Sequence, residues 1–286
     1  MSTVEFGEVI KGGYQTWKNN LILCIPFILG GILSAIVAGI ILVISFFSLF
    51  WPLIESVITN PTSISSSEFI SELYSTLTSN LFSIIAVFVI MAIIVGLIYS
   101  FFYAGAVGMA KEALSTGKTN LSHMMDYGKR KYLSYFGASL IVGLIALIGV
   151  LFMLPGLLSV SSELSSSGFN FSSQNISAYV SLIIGFLIMI PYMIIMSIIF
   201  ALVTYAVVID DLSAIAGVKK GLSVFWHNKL NVFLIWLIVA VITFLFGLIG
   251  VIPIIGGILS IIVTFLIVTP LTTIWWSKFY LTVSKT

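Results

Sequence analysis

Tyr179–Ile209 reads YVSLIIGFLIMIPYMIIMSIIFALVTYAVVI, an unbroken run without one charged side chain. A helix needs about 20 apolar residues to cross a hydrocarbon core of about 30 Å, and this run exceeds that length. Its centre, Leu182–Phe200, lacks the alternation of apolar and polar residues that a membrane β-barrel strand requires. In lipid a spanning segment satisfies its own backbone hydrogen bonds, so the run is predicted to be a helix. Five other stretches share the property: Leu21–Trp51, Leu81–Ala110, Tyr132–Val160, Asn231–Pro253 and Gly257–Ser277. Only residues 254–256 separate the last two, which predicts a tight turn there.

The composition agrees. Of 286 residues, 60% are hydrophobic and 8% charged, where a soluble domain carries roughly a quarter charged residues. The mean hydropathy is +1.22. The expected fold is an all-α, polytopic bundle of six transmembrane helices, forming a single membrane domain over residues 1–286. Net charge is only +2, so no bulk charge draws the chain to nucleic acid. Cys24 is the only cysteine, which rules out an intrachain disulfide and a cysteine-based metal cluster. The first apolar run is too long for the core of a cleavable signal peptide, so none is expected.

Charge predicts the orientation. All twelve basic residues fall in the N-terminal segment, after the second and fourth spans, or at the C-terminal end. The links after the first and third spans carry only Glu55, Glu68, Glu72 and Glu163. By the positive-inside rule the protein is expected in the cell membrane with both termini cytoplasmic. The sequons at Asn170 and Asn175 then lie outside, and the one at Asn120 inside.

The basic segments have a common design. Phe6, Val9, Ile10, Gly13, Tyr14 and Trp17 share one helical face, opposite Glu5, Glu8, Lys11 and Lys18, and Ser2 and Glu5 have capping-box spacing. Leu212, Ile215, Val218, Leu222, Phe225 and Trp226 form a similar face before the fifth span, with Asp210 or Asp211 placed to cap it. Leu121, Met124, Met125 and Tyr132 do so more loosely before the third, after Asn120 as a cap. Such helices suit the inner membrane interface. A shift of 209 residues superposes Val9, Lys11, Gly12, Trp17, Asn19 and Leu21 on Val218, Lys220, Gly221, Trp226, Asn228 and Leu230. Trp17 and Trp226 are therefore expected in equivalent settings. The chain reads as three parallel hairpin units, about 1–110, 111–209 and 210–286, each introduced by an interfacial helix. Inverted repeats, one mark of secondary transporters, are not expected.

Three segments carry a resemblance: Phe6–Leu21 (FGEVIKGGYQTWKNNL), Gly105–Leu121 (GAVGMAKEALSTGKTNL) and Gly217–Leu230 (GVKKGLSVFWHNKL). With them the chain resembles a group of uncharacterised prokaryotic, largely archaeal, six-span membrane proteins. That group is distantly like the membrane domain attached to some bacterial glycerophosphodiester phosphodiesterases. The resemblance covers most of the chain and implies architecture. It implies no activity, and the soluble phosphodiesterase domain is not found here.

No catalytic, metal or cofactor residues are expected. His123 and His227 lie in different units, and no nucleophile elbow, phosphate loop or dinucleotide fingerprint occurs. Asp210 and Asp211 form a candidate helix cap or cation site, the cap being the ordinary use. Lys129, Arg130, Lys131, Lys219 and Lys220 are candidate contacts for lipid headgroups. Pro191, flanked by Met189, Met193 and Met196, is a candidate hinge that bends the fourth span. Ser260, Thr264 and Thr272 recur at multiples of four and are expected to line one groove or bond across helices. Gly31, Ala35 and Gly39, and likewise Ser100, Ala104 and Gly108, make small-residue faces for close helix contacts. No Asp, Glu, Lys, Arg or His lies in any span, which argues against a buried proton relay. The expected function is a non-catalytic membrane protein organising lipid or a partner, in another protein or a second copy of itself. Passage of an uncharged or amphipathic solute is the alternative, and lipid modification the third reading.

Overall fold

The computed structural model describes residues 6–59, 66–167, 176–253 and 255–284. The Ser2–Glu5 capping box and the sequon asparagines Asn170 and Asn175 lie outside them. The described residues hold helices and no strand. Six helical stretches are long and apolar enough to cross a membrane: Leu21–Thr59, Leu81–Thr116, Leu121–Ser161, Tyr179–Ile209, Lys229–Val251 and Gly256–Val283. The protein is a multi-pass, all-α membrane protein.

In chain order, α1 (Phe6–Asn19) leads to α2 (Ile25–Thr59), the first span, and α4 (Leu81–Thr116) is the second. The link between these spans carries a further helix, α3 (Ser66–Ser79). The third span begins as α5 (Leu121–Leu147), tightens to a 3₁₀ segment at Ile148–Met153 ahead of Pro155, and continues as α6 (Leu154–Ser167). The fourth is α7 (Ile176–Ile199) with α8 (Val203–Ile209). After α9 (Ala214–His227), the fifth span is α10 (Lys229–Gly247) and the sixth joins α11 (Gly256–Val263) to α12 (Thr269–Val283).

Burial is concentrated at one end. Val107, Ala110, Val203, Val207, Val224, Ile274, Phe279 and Tyr280 are all buried, and they belong to the segments carrying the termini and the basic residues. Toward the opposite end the helices keep apolar surface exposed, as at Phe82, Phe88, Ile183, Leu187 and Leu245. Lipid gives little hydrophobic drive between helices, so close packing depends on small residues. The glycines follow that rule. On α4 a Cβ at Gly108 would strike the Tyr127 ring, and on α9 one at Gly221 would stand 2.7 Å from the Val203 Cα. Gly39, Gly143 and Gly247 face open space, whereas Gly156 and Gly185, toward the other end, join the third and fourth spans, a Cβ at Gly156 striking the Leu182 backbone. The Ser100–Ala104–Gly108 face is buried as expected, whereas Ala35 is exposed.

At the basic end each lead-in segment packs on the span before it. The start of α5 lies on the end of α4, and α9 lies on α8. α1 takes the last span: Trp275 Nε1 donates to the Ile10 carbonyl (3.1 Å) and Lys278 Nζ to the Glu8 carbonyl (2.8 Å). These contacts tie the first and last helices together.

Two expectations about the units need correction. The segment before the third span is no separate interfacial helix; it is the first turns of α5, which runs on unbroken with no proline between Asn120 and Leu147. Asn120 does cap it, accepting from the His123 amide (3.1 Å). Trp17 and Trp226 are not in equivalent settings. Trp17 donates into the sixth span, while Trp226 is 57% exposed beneath Lys229, whose Nζ lies 4.3 Å from the ring centroid.

Candidate functional site

Two polar groupings stand out, one at the basic end and one inside the bundle. The first is built around the turn between α8 and α9. Asp211 adopts a left-handed backbone (φ 58°), a conformation that Asp tolerates better than most residues. This turns its carboxylate toward α5, 2.7 Å from Lys131 Nζ and 3.5 Å from Arg130 Nε. The Lys131 hydrogen bond, more than any other influence, holds that carboxyl below its ordinary range. Lys131 is only 7% exposed and also donates to the Leu212 carbonyl (3.3 Å). Asp210 accepts from the Tyr280 hydroxyl of α12 (2.5 Å), and Lys111 of α4 donates to the Ile209 carbonyl (2.8 Å). Arg130 stacks over Tyr127, which donates to Glu112 (2.8 Å). One short turn thus receives bonds from the second, third and sixth spans.

The cap reading of Asp210 and Asp211 is therefore corrected. Asp210 follows the last turn of α8, and the residue preceding α9 is Ser213. Both carboxylates are drawn instead to groups on other helices. The five basic candidates also separate. Lys131 is spent on Asp211, whereas Lys129 and Lys219 are exposed and Lys220 is half-buried. Sequence reasoning also missed Asn20, which is buried and ties α1 to the turn after α4. Its amide donates to the Gly117 carbonyl and its carbonyl accepts from the Thr119 amide, each at 3.1 Å. A polar residue directly before a long apolar run was the available signal.

The second grouping is a cluster of hydroxyls from four spans. Tyr99 and Tyr103 stack on α4 with ring centroids 3.8 Å apart. Tyr135 of α5 is buried and lies near Thr204 on α8. Tyr205 likewise lies near Thr273, and Tyr103 near Thr269, both on α12. Tyr103 and Tyr135 lie in the neighbourhood of Tyr205. Tyr99 is 44% exposed, at the edge of this group. A further hydroxyl, Ser34 on α2, is buried with no hydrogen-bond partner.

The expected stripe of Ser260, Thr264 and Thr272 is not the one that faces inward. A π-helical turn at Thr264–Val268 inserts extra rotation, so fourfold spacing no longer holds one face. Thr264 is exposed and Thr272 donates to the Thr269 carbonyl (3.1 Å), while Thr269 and Thr273 meet the tyrosines. α7 passes through Pro191, the candidate hinge, which is exposed, as a continuous helix, and the fourth span breaks at residues 200–202. No proline or glycine stands there. The break lets α8 turn onto the Gly217–Gly221 face of α9, a tertiary contact without a local signal. Among the described residues no group of three His, Cys, Asp or Glu side chains is placed to hold a metal.

Residues 33–280 match the family described as a domain of unknown function, DUF7847. The chain belongs to that family. It is also 27% identical over 201 residues to an uncharacterised protein of Archaeoglobus fulgidus, covering 65% of this chain and 64% of that relative. The match thus spans somewhat less than two thirds of the relative's length. No solved structure matches the chain. The archaeal relative agrees with the expectation of a largely archaeal, uncharacterised group. In this DUF7847 protein the candidate sites therefore rest on their geometry.

Proposed function

We propose that this protein is a non-catalytic, multi-pass protein of the cell membrane that organises lipid around itself. The observation that carries this reading is its uneven packing. Its basic end is knitted by buried side chains and by the Asp210–Asp211 turn, while toward the other end the helices offer apolar surface to lipid. By the positive-inside rule the knitted end and both termini lie in the cytoplasm. Exposed Lys129 and Lys219, with Arg130 and Lys220 beside them, meet anionic headgroups, each contributing about 1 kcal/mol near a charged surface. Lys131 contributes little, its charge being matched by Asp211. The reading is non-catalytic because the acidic pair is engaged by the protein's own groups and the two histidines sit on different helices. Kinship with the membrane domains attached to glycerophosphodiester phosphodiesterases is part of this proposal, at the level of architecture.

The hydroxyl cluster favours a second reading, passage of an uncharged or amphipathic solute. One experiment separates the two. The protein is reconstituted into vesicles of mixed phosphatidylcholine and phosphatidylglycerol, and spin-labelled lipids report which headgroup is immobilised. The expected result is a preference for phosphatidylglycerol that falls when Lys129, Lys219 and Lys220 are replaced by Ala, with solute leakage equal to that of empty vesicles. Protein-dependent flux of glycerol or another neutral solute would replace the organiser reading with the second.

A further inference from the structure

The last turns of three helices meet at the basic end. Thr16 and Asn19 close α1, Leu114 and Ser115 close α4, and Leu281 and Thr282 close α12. All six line one cavity of about 580 Å³, a volume in the range of small-ligand sites. Asn20, also in its lining, joins two of the walls by bonding to Gly117 and Thr119 beyond the end of α4. Gly12 admits the third wall. A Cβ there would strike the Lys278 side chain, and without one Lys278 crosses α1 to donate to the Glu8 carbonyl (2.8 Å). Lys278 is half-buried and is the one charged side chain among the described residues that line the cavity.

A helix C-terminus carries about half a negative elementary charge and leaves its last carbonyls without main-chain partners. At the end of α4 that deficit is explicit. Gly117, in the left-handed region (φ 82°), gives its amide to the Ala113 carbonyl. The next two amides turn elsewhere, Lys118 to the Thr116 hydroxyl (3.4 Å) and Thr119 to the Asn20 side chain (3.1 Å). The carbonyls they would have met in a longer helix, on Leu114 and Ser115, are left to what fills the cavity. The hydroxyls of Thr16, Ser115 and Thr282 donate to their own helices and so present acceptors as well. Acceptors at three negative helix ends suit a cation that carries N–H donors, and Lys278 suits an anion beside it. We propose that this cavity binds a phosphoethanolamine group, its ammonium at the open carbonyls of α4 and its phosphate against Lys278. Among headgroups, phosphocholine has no N–H to donate and phosphoglycerol has no cation. The inference rests on the lipid-organising reading, to which it adds one headgroup and its seat. Its chemistry is shared by phosphatidylethanolamine and free O-phosphoethanolamine.

The test uses the full chain in a neutral detergent, with native mass spectrometry counting bound lipids of identical dioleoyl chains. Phosphatidylethanolamine should bind about tenfold more tightly than phosphatidylcholine, the scale of one charge-assisted hydrogen bond. Stepwise N-methylation of the headgroup removes donors without altering the protein, and affinity should fall at each step. With Lys129, Lys219 and Lys220 replaced by Ala, so that the exposed patch no longer counts, phosphatidylethanolamine should also bind better than phosphatidylglycerol. Lys278→Gln should weaken phosphatidylethanolamine binding about tenfold, whereas Lys129→Ala, outside the cavity, should leave it unchanged. Added O-phosphoethanolamine separates the two sources. Displacement of the lipid assigns the site to the free solute, and retention of the lipid assigns it to the headgroup. Equal binding of the three lipids, or a preference indifferent to N-methylation and to Lys278→Gln, would overturn the proposal. The N-methylation series decides on the unaltered protein if the lysine variant fails to fold. If the preference for phosphatidylglycerol at Lys129, Lys219 and Lys220 persists while N-methylation has no effect, only this inference falls. If both effects are missing, the lipid-organising reading falls with it.

Discussion

The indole Nε1 of Trp17 donates to the main-chain carbonyl of Leu266, 3.2 Å away and on the last span. The amide that would ordinarily claim this carbonyl lies four residues on, at Pro270, which has none. The Cys24 thiol meets the same oxygen at 3.0 Å. The π-helical turn at Thr264–Val268 is thus held from α1 and from the start of the first span. Trp17→Phe should destabilise the protein by about 1 kcal/mol, the scale of such a bond. In a Pro270→Ala background the new amide can claim Leu266, so the cost of Trp17→Phe should shrink. A double-mutant cycle measured by unfolding in mixed micelles checks this, and additive costs would contradict it.

Asp211 makes stability pH-dependent. Its carboxyl is held below the ordinary range of about 3.9 by Lys131, so the folded state binds its proton less readily than the unfolded chain. The stabilisation is fully present above that ordinary value and is lost as pH falls through the lower, folded value. Since Asp211 is 56% exposed, screening limits it to about 1 kcal/mol or less. Asp211→Asn should remove this acid-side slope. It should also cost stability at neutral pH, because Lys131 stays buried without its counter-ion.

Glycines in contact and glycines in open space should respond differently to added methyl groups. Gly221→Ala would place a Cβ against Val203 backbone and should destabilise by about 1–3 kcal/mol, or separate α8 from α9. Gly39→Ala meets nothing within 4 Å and should change stability by less than about 0.5 kcal/mol. Comparable losses at both sites would refute this contrast in local packing.

Cysteines placed one at a time at residues 118 and 220, in a Cys24→Ser background, should react with a membrane-impermeant maleimide only after the cells are opened. Labelling of intact cells would reverse the proposed orientation. A glycan at Asn120 in a glycosylating host would reverse it equally.

Pro191→Ala should leave the bundle folded and lipid selectivity unchanged, because α7 already passes through this residue as a helix. Loss of a protein-dependent solute flux in that variant, with folding intact, would instead establish motion at this site.

The sequence by itself determined the class, the number of spans and the division between a basic end and an acidic one. The reason is that lipid tests every segment separately for length, charge and backbone satisfaction, and these are local properties. Asn120 as a cap was legible for the same reason. The site was scarcely legible. Thr269 and Thr273 face inward only because a π-helical turn resets the register, and the fourth span breaks at residues 200–202 because glycines on α9 admit α8. Asp210 and Asp211 looked like a cap, since no sequence spacing reveals that Lys131 and Tyr280 would arrive from 80 and 70 residues away. Tyr99, Tyr103, Tyr135 and Tyr205 belong to three different spans, and a hydroxyl's partner across a bundle is set by helix rotation and approach. Those are fixed by packing between helices, which only the tertiary structure decides.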